Sequence, residues 1–167
     1  MNLSEVWVAL RSAMSLNFNG LLDKLIQQHQ LIDLNASGNV SGNESALEAF
    51  LNDTGDGVVL LTEEPDKVPE SWDLAVIFPS LLATTRIQPR AAISRPEFAR
   101  SLLIRFGVQR MPALLFIRDG AYVGVIEGLR DWNELVAEYH AMLLKPASRA
   151  RTIGIAVTAA TTSTCSH

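Results

Sequence analysis

The sequence predicts an α/β fold in which a central mixed sheet is flanked by helices, and three observations carry that prediction. The run "VVLLT", residues 58–62, is continuously β-branched and aliphatic, the pattern of a strand buried on both faces in a parallel position. "PALLFI" and "YVGVI" read as two further strands joined by "RDGA", whose Asp119-Gly120 pair is a strong hairpin signal. Helical patterns alternate with these runs, giving helix, loop, helix, strand, helix, strand, helix, strand, strand, helix. A β-α-β unit, a crossover helix, an antiparallel hairpin and a closing helix make one mixed sheet covered on both faces.

The elements follow in order. "FNGLLDKLIQQHQLI" places Phe18, Leu21, Leu22, Leu25 and Ile26 at helical spacing. The glycine-rich "NASGNVSGN" reads as a loop, with Ser41 or Asn43 as cap of a short helix, "ESALEAFLN". After the central strand, "EEPDKVPESWD" carries two prolines and reads as an acidic loop. "LAVIFPSLLAT" is apolar enough for a buried helix, kinked or restarted at Pro79. "RIQPRAAI" is a short strand, edge or early in position because of Pro89. "SRPEFARSLLIRFG" has Ser94 and Glu97 at capping-box spacing, Pro96 in the first turn and Gly107 as a left-handed stop. "DWNELVAEYHAMLL" has Asp131 as N-cap, Glu134 at the box position and a stripe of Trp132, Leu135, Val136, Tyr139, Met142 and Leu143. The expected organisation is an N-terminal extension over residues 1–17, one domain over 18–145, and a small, polar, aperiodic tail over 146–167 whose composition predicts disorder.

At 167 residues the chain can bury a proper core in one domain. Its single cysteine, Cys165, excludes an internal disulfide framework and fits a reducing compartment. The start "MNLSEVWVALRSAM" lacks the basic beginning and uninterrupted apolar run of a secretory signal, and no membrane-length apolar run follows, so a cytoplasmic protein is expected. The net charge of −4 hides a marked asymmetry: residues 44–73 hold nine acids and one base, and residues 86–118 hold seven arginines and one acid. Arg95, Arg100 and Arg105 recur at intervals of five and spiral around their helix, which favours solvation over a nucleic-acid-facing stripe. His29, His140 and His167 make no metal-ligand spacing, and neither a phosphate loop nor a Ser-centred elbow is present, so no metal, cofactor or catalytic residue is expected.

The order of elements, with "GVQRMPALLFIRDGAYVGVIEG", resembles a thioredoxin fold. That family ends a helix in Gly, passes through a short loop to a cis-proline, and continues as strand, turn and strand. Met111-Pro112 takes the place of the cis-proline, where an X-Pro bond loses all but about 0.5–1 kcal/mol of its trans preference. The redox members place Cys-x-x-Cys five and eight residues before a kinking proline. If Pro79 is that proline, the positions hold Leu74 and Ser71 in "SWDL", and neither can exchange a disulfide. The shape is therefore expected without its reaction.

A closer resemblance rests on "DGVVLL", "EEPDKVPE", "FGVQRMPALLF" and "GAYVGVIEG" followed by Trp132, Glu134 and Leu135. These are similar to the thioredoxin-like nickel–iron hydrogenase expression proteins, the HyaE/HupG/HoxO family. The resemblance implies a non-enzymatic cytoplasmic chaperone of uptake-hydrogenase assembly. Its partner would be the hydrogenase small-subunit precursor with its twin-arginine signal peptide, and a second maturation chaperone could contact the arginine block.

Beside that implication, Glu63, Glu64, Asp66, Glu70 and Asp73 follow the central strand and are expected at its carboxyl end, the usual ligand edge of such sheets. Carboxylates accept guanidinium groups in bidentate fashion, and Trp72, Met111 and Pro112 would add apolar contact. The plainer alternative is that Glu70 and Asp73 complement a helix dipole while the other acids are solvated. Two further functions stay open on the sequence: a thiol-dependent oxidoreductase or peroxidase using Cys165, and a permanent structural subunit.

Overall fold

The computed structural model describes residues 3–148. Cys165 and most of the tail expected to be disordered lie outside the described residues. Strand β2 (Asp56–Leu61) is central, parallel to β3 (Arg90–Ser94) and antiparallel to β4 (Ala113–Arg118). A two-residue strand, β1 (Ile32–Asp33), pairs in parallel with β3, and β5 (Ala121–Glu127) pairs antiparallel with β4. The sheet order is β1-β3-β2-β4-β5.

Period-two alternation along β2 divides the core into two layers. Val58 and Leu60 face a cluster built by α1 (Leu3–His29), α3 (Glu70–Leu82) and α5 (Trp132–Leu144). Val59 and Leu61 face the opposite cluster, built by α2 (Val40–Asn52) and α4 (Pro96–Phe106). Residues 58–61 are fully buried, as an apolar run sandwiched between helices on both faces must be. This connectivity and strand order are those of a thioredoxin-like fold, with α1 added ahead of the first strand.

Several local expectations change. One continuous helix runs through residue 18, where the extension was expected to give way to the domain. β1 is too short to leave a periodic signature. α2 starts at Val40 because Asn39, not Ser41 or Asn43, is its cap: the Asn39 carboxamide accepts the Gly42 N–H at 2.8 Å. α3 takes in residues 70–73 from the expected loop and carries Pro79 inside it. β3 is an inner strand, with Pro89 just ahead of it. Ser94 belongs to β3 and does not cap α4, whose N-cap is Arg95 without a side-chain bond. Asp131 is the N-cap of α5, again without a side-chain bond, and Trp132 lies exposed.

The hairpin forms as expected. Asp119 (φ 48°) and Gly120 (φ 79°) both adopt left-handed backbone in a two-residue turn, the geometry that an Asp-Gly pair supplies at least cost. Gly107 ends α4 with φ 65°.

Candidate functional site

At the carboxyl end of β2 the chain leaves the sheet under tight control. The N–H and hydroxyl of Thr62 both donate to the Ser94 carbonyl, at 3.1 and 2.9 Å. The Glu63 N–H then donates to the Ser71 hydroxyl at 3.1 Å, tying the β2 exit to the first turn of α3. The Glu63 carboxylate accepts both Nε (2.9 Å) and Nη2 of Arg100 on α4, a forked pair. That hydrogen bond holds the Glu63 carboxyl below the usual glutamate range against the opposing effect of burial, and it raises Arg100 in turn.

The two positions expected from the resemblance to stand in place of the cysteines are structural groups. Ser71 is wholly buried and works as a latch for the β2 exit, while Leu74 is a core residue under the sheet. Register places the loop before β4 next to this exit, because Leu61 pairs with Ala113. The Met111-Pro112 bond is cis. The Pro112 carbonyl accepts the Gly128 N–H at 2.7 Å, whereas no described residue bonds to the backbone N–H or carbonyl of Met111. The edge formed by Pro112, the β2 exit and the first turn of α3 is therefore one contiguous feature.

The eight expected site residues are placed unequally on it. Glu63 is fully engaged with Arg100. Glu64 is half-buried, and Glu70 and Asp73 lie in the first turn of α3; none of these three carboxylates has a described hydrogen-bond donor. Asp66 is exposed in the connection. Trp72 is exposed over about a third of its surface and leans on Phe18 of α1, ring centroids 5.7 Å apart. The Met111 side chain is buried in the α2–α4 core, so that residue can offer a partner its backbone but little apolar surface.

Sequence reasoning missed what the arginines do. Arg90 pairs with Asp53, Arg100 with Glu63, Arg105 with Glu44 and Glu48, and Arg118 with Asp56, so the basic and acidic blocks largely neutralise each other across the fold. The expectation of a solvated arginine face is corrected accordingly. Arg95 reaches Asp23 of α1 at 2.6 Å, Asp33 of β1 at 3.0 Å and the Asn19 carboxamide at 3.2 Å. Burial alone would depress its guanidinium, but the two aspartates outweigh burial and push it up. The near-equal size of the two opposite blocks was the available signal. Among the described residues no group of three or more His, Cys, Asp or Glu is gathered where it could hold a metal ion, and no helix is long and apolar enough to cross a membrane.

Comparison with known proteins bears on what this edge serves. The family described as "Hydrogenase-1 expression protein HyaE" matches residues 22–135. The hydrogenase expression/formation protein HoxO of Cupriavidus necator is 36% identical over 142 residues, covering 84% of this chain and 83% of its own length. HupG of Rhizobium leguminosarum is 34% identical over 105 residues, covering 60% and 70%. A solved hupG structure from Rhodopseudomonas palustris is 30% identical and superposes with a TM-score of 0.41, covering 60% of this chain and 91% of that one. The family match takes in the central strand, the Ser71 latch and the proline edge together, and the chain belongs to the HyaE family of hydrogenase expression proteins.

Proposed function

We propose that this protein is a non-enzymatic chaperone that holds the small-subunit precursor of an uptake nickel–iron hydrogenase by its twin-arginine signal peptide, in the cytoplasm and before export. Family membership gives the chain a part in hydrogenase maturation, an accessory role rather than catalysis. One observation carries the finer reading. At the edge where the redox proteins present their cysteines, this chain has Ser71 and Leu74 buried, an unbonded backbone at Met111, and the unpaired carboxylates of Glu64, Glu70 and Asp73 close by.

Such an edge offers a peptide extended backbone pairing and a negative field, with no group able to exchange a thiol. The exposed part of Trp72 adds an aromatic face that accepts a guanidinium. Capture of the precursor by the wild-type chain, and loss of that capture when the signal peptide is deleted, is the expected result of a pull-down. Equal capture of the precursor with and without its signal peptide would remove the reading.

A further inference from the structure

We propose that the first half of α1 is an apolar arm that takes the hydrophobic run of the bound signal peptide, an assignment that rests on the chain's being a peptide holder. α1 and α3 lie side by side and run in the same direction. The Phe18 ring meets the Trp72 ring near the start of α3, and at the far end His29, Leu82 and Ala83 line one cavity. α3 begins only two residues before Trp72, where Ser71 is tied to the β2 exit. By Phe18, α1 has already run through residues 3–17, about 22 Å of helix. That half of α1 therefore projects past the start of α3, over the edge described above.

One face of α1 changes its surroundings along the way. Trp7 precedes Phe18 by about three turns and so shares its face, and Leu10 follows Trp7 by one turn. Phe18 is 1% exposed, whereas Trp7 is 64% and Leu10 49% exposed. The stripe that enters the core at Phe18 is thus uncovered where the helix overhangs the edge. Trp72, itself 36% exposed, joins the covered and uncovered parts. Single apolar side chains on a surface are ordinary; large ones in line beside a binding edge are the mark of a docking surface.

The neighbourhood selects the occupant. In "LSEVWVALRSAMSLN", residues 3–17, the charged residues are Glu5 and Arg11, one of each sign, so the stretch attracts by burial and not by net charge. Glu70 and Asp73 flank Trp72 in the first turn of α3, so a negative patch gives way directly to an apolar one. An export signal has the matching order, a basic beginning followed by an apolar run of about 7–15 residues. As a helix that run is about 10–22 Å long, the length of the projecting half of α1. With the arginines on Glu64, Glu70 and Asp73, the apolar run passes Trp72 and lies along the stripe. A second copy of the chain, pairing α1 with α1, covers the stripe but uses neither the acids nor the unbonded backbone of Met111.

The test uses the full ¹⁵N-labelled chain and two synthetic peptides, Arg-Arg followed by about ten residues of Leu and Ala, and Arg-Arg followed by the same length of Ser and Gly. The indole N–H signal of Trp7, assigned by its loss in Trp7→Phe, is the probe. Saturable movement of that signal with the Leu/Ala peptide is expected, with roughly tenfold weaker binding of the Ser/Gly peptide and no movement at Trp7. The double variant Trp7→Gln, Leu10→Gln puts a polar helix former at two exposed positions and should bind the two peptides alike. Equal binding of both peptides by the wild type, or an unmoved Trp7 signal, would overturn the arm. So would a wild-type dimer in sedimentation that the double variant dissociates, because the stripe would then belong to a second copy. Signal-peptide-dependent capture of the precursor that the double variant leaves intact keeps the proposed function and removes the arm. A Trp7 response to the Leu/Ala peptide in a chain that captures no precursor keeps the arm and removes the function.

Discussion

Two stretches of one acidic run meet opposite fates. In residues 44–56 every acid has an arginine: Glu44 and Glu48 share Arg105, Asp53 faces Arg90 and Asp56 binds Arg118. In residues 63–73 Glu63 forms a forked pair with Arg100, whereas Glu64, Glu70 and Asp73 have no hydrogen-bond donor, Glu64 lying within the field of Arg100. The difference teaches that the charge of a segment says little about binding. What matters is which carboxylates the fold leaves unmatched, and these gather at the carboxyl end of the central strand. Matched acids are taken up in the fold's own ion pairs; the unmatched ones are those proposed above to meet a partner.

Removing an architectural arginine should have the largest effect. Arg95 joins α1, β1 and the start of α4, and its side chain and that of Asp33 retain only 19% and 18% exposure. Arg95→Ala leaves Asp33 half-buried without its partner, and a loss of about 2–3 kcal/mol is expected from urea unfolding. Arg105→Ala breaks two contacts on the surface and should cost about 1 kcal/mol or less, because exposed pairs are screened by water. Equal losses in the two variants would erase the distinction between matched acids that hold the fold and matched acids that merely sit on it.

The next effect falls on binding. Converting Glu64, Glu70 and Asp73 together to amides removes about 0.5 kcal/mol each, so precursor affinity should fall roughly tenfold at low salt and lose most of its salt dependence. The same conversion of Glu44, Glu48 and Asp53 should leave affinity unchanged. A titration of precursor against both triple variants at two ionic strengths reads this directly. If the two variants bind alike, the unmatched set has no special standing.

How far the sequence reveals this division can be judged from particular residues. The hairpin, the helix stop at Gly107 and the buried run of residues 58–62 are local signals, and each appears in the structure where its pattern places it. The lack of a Cys-x-x-Cys pair was equally legible, since the one cysteine of the chain is Cys165. The pairing of Glu63 with Arg100 was not, because it joins residues 37 apart through a fold that no local pattern encodes. For the same reason Met111 looked like apolar contact surface, although core packing buries its side chain. Asn43 looked like a cap, yet Asn39 has the extended backbone (φ −142°, ψ 160°) that an N-cap needs.

A smaller effect should follow at Trp72, which leans on Phe18 beside the unmatched acids of α3. Trp72→Ala removes one tilted aromatic pair from a partly exposed site, so stability should fall by about 1 kcal/mol. Precursor binding should weaken as well, because the ring borders Glu70 and Asp73 in the first turn of α3. Thermal melts alongside precursor titration separate the two consequences. Weakened binding with an unchanged melting temperature would assign the ring to contact alone.

The smallest predicted effect is a pH dependence at the matched end of the comparison. The folded Glu63 carboxyl titrates below its ordinary value because Arg100 binds its charged form. A depressed carboxyl contributes stability that is complete above the unfolded glutamate pKa and is lost as pH falls through the folded one. Arg100 is 41% exposed, so that contribution is about 1 kcal/mol or less. Glu63→Gln should therefore be slightly less stable than wild type at neutral pH, and the gap should close on acidification below the ordinary glutamate range. Measuring urea midpoints of both proteins from neutral to acid pH checks it. A gap that persists undiminished at acid pH would mean that Glu63 holds the β2 exit through its shape and packing, with its charge irrelevant to the latch.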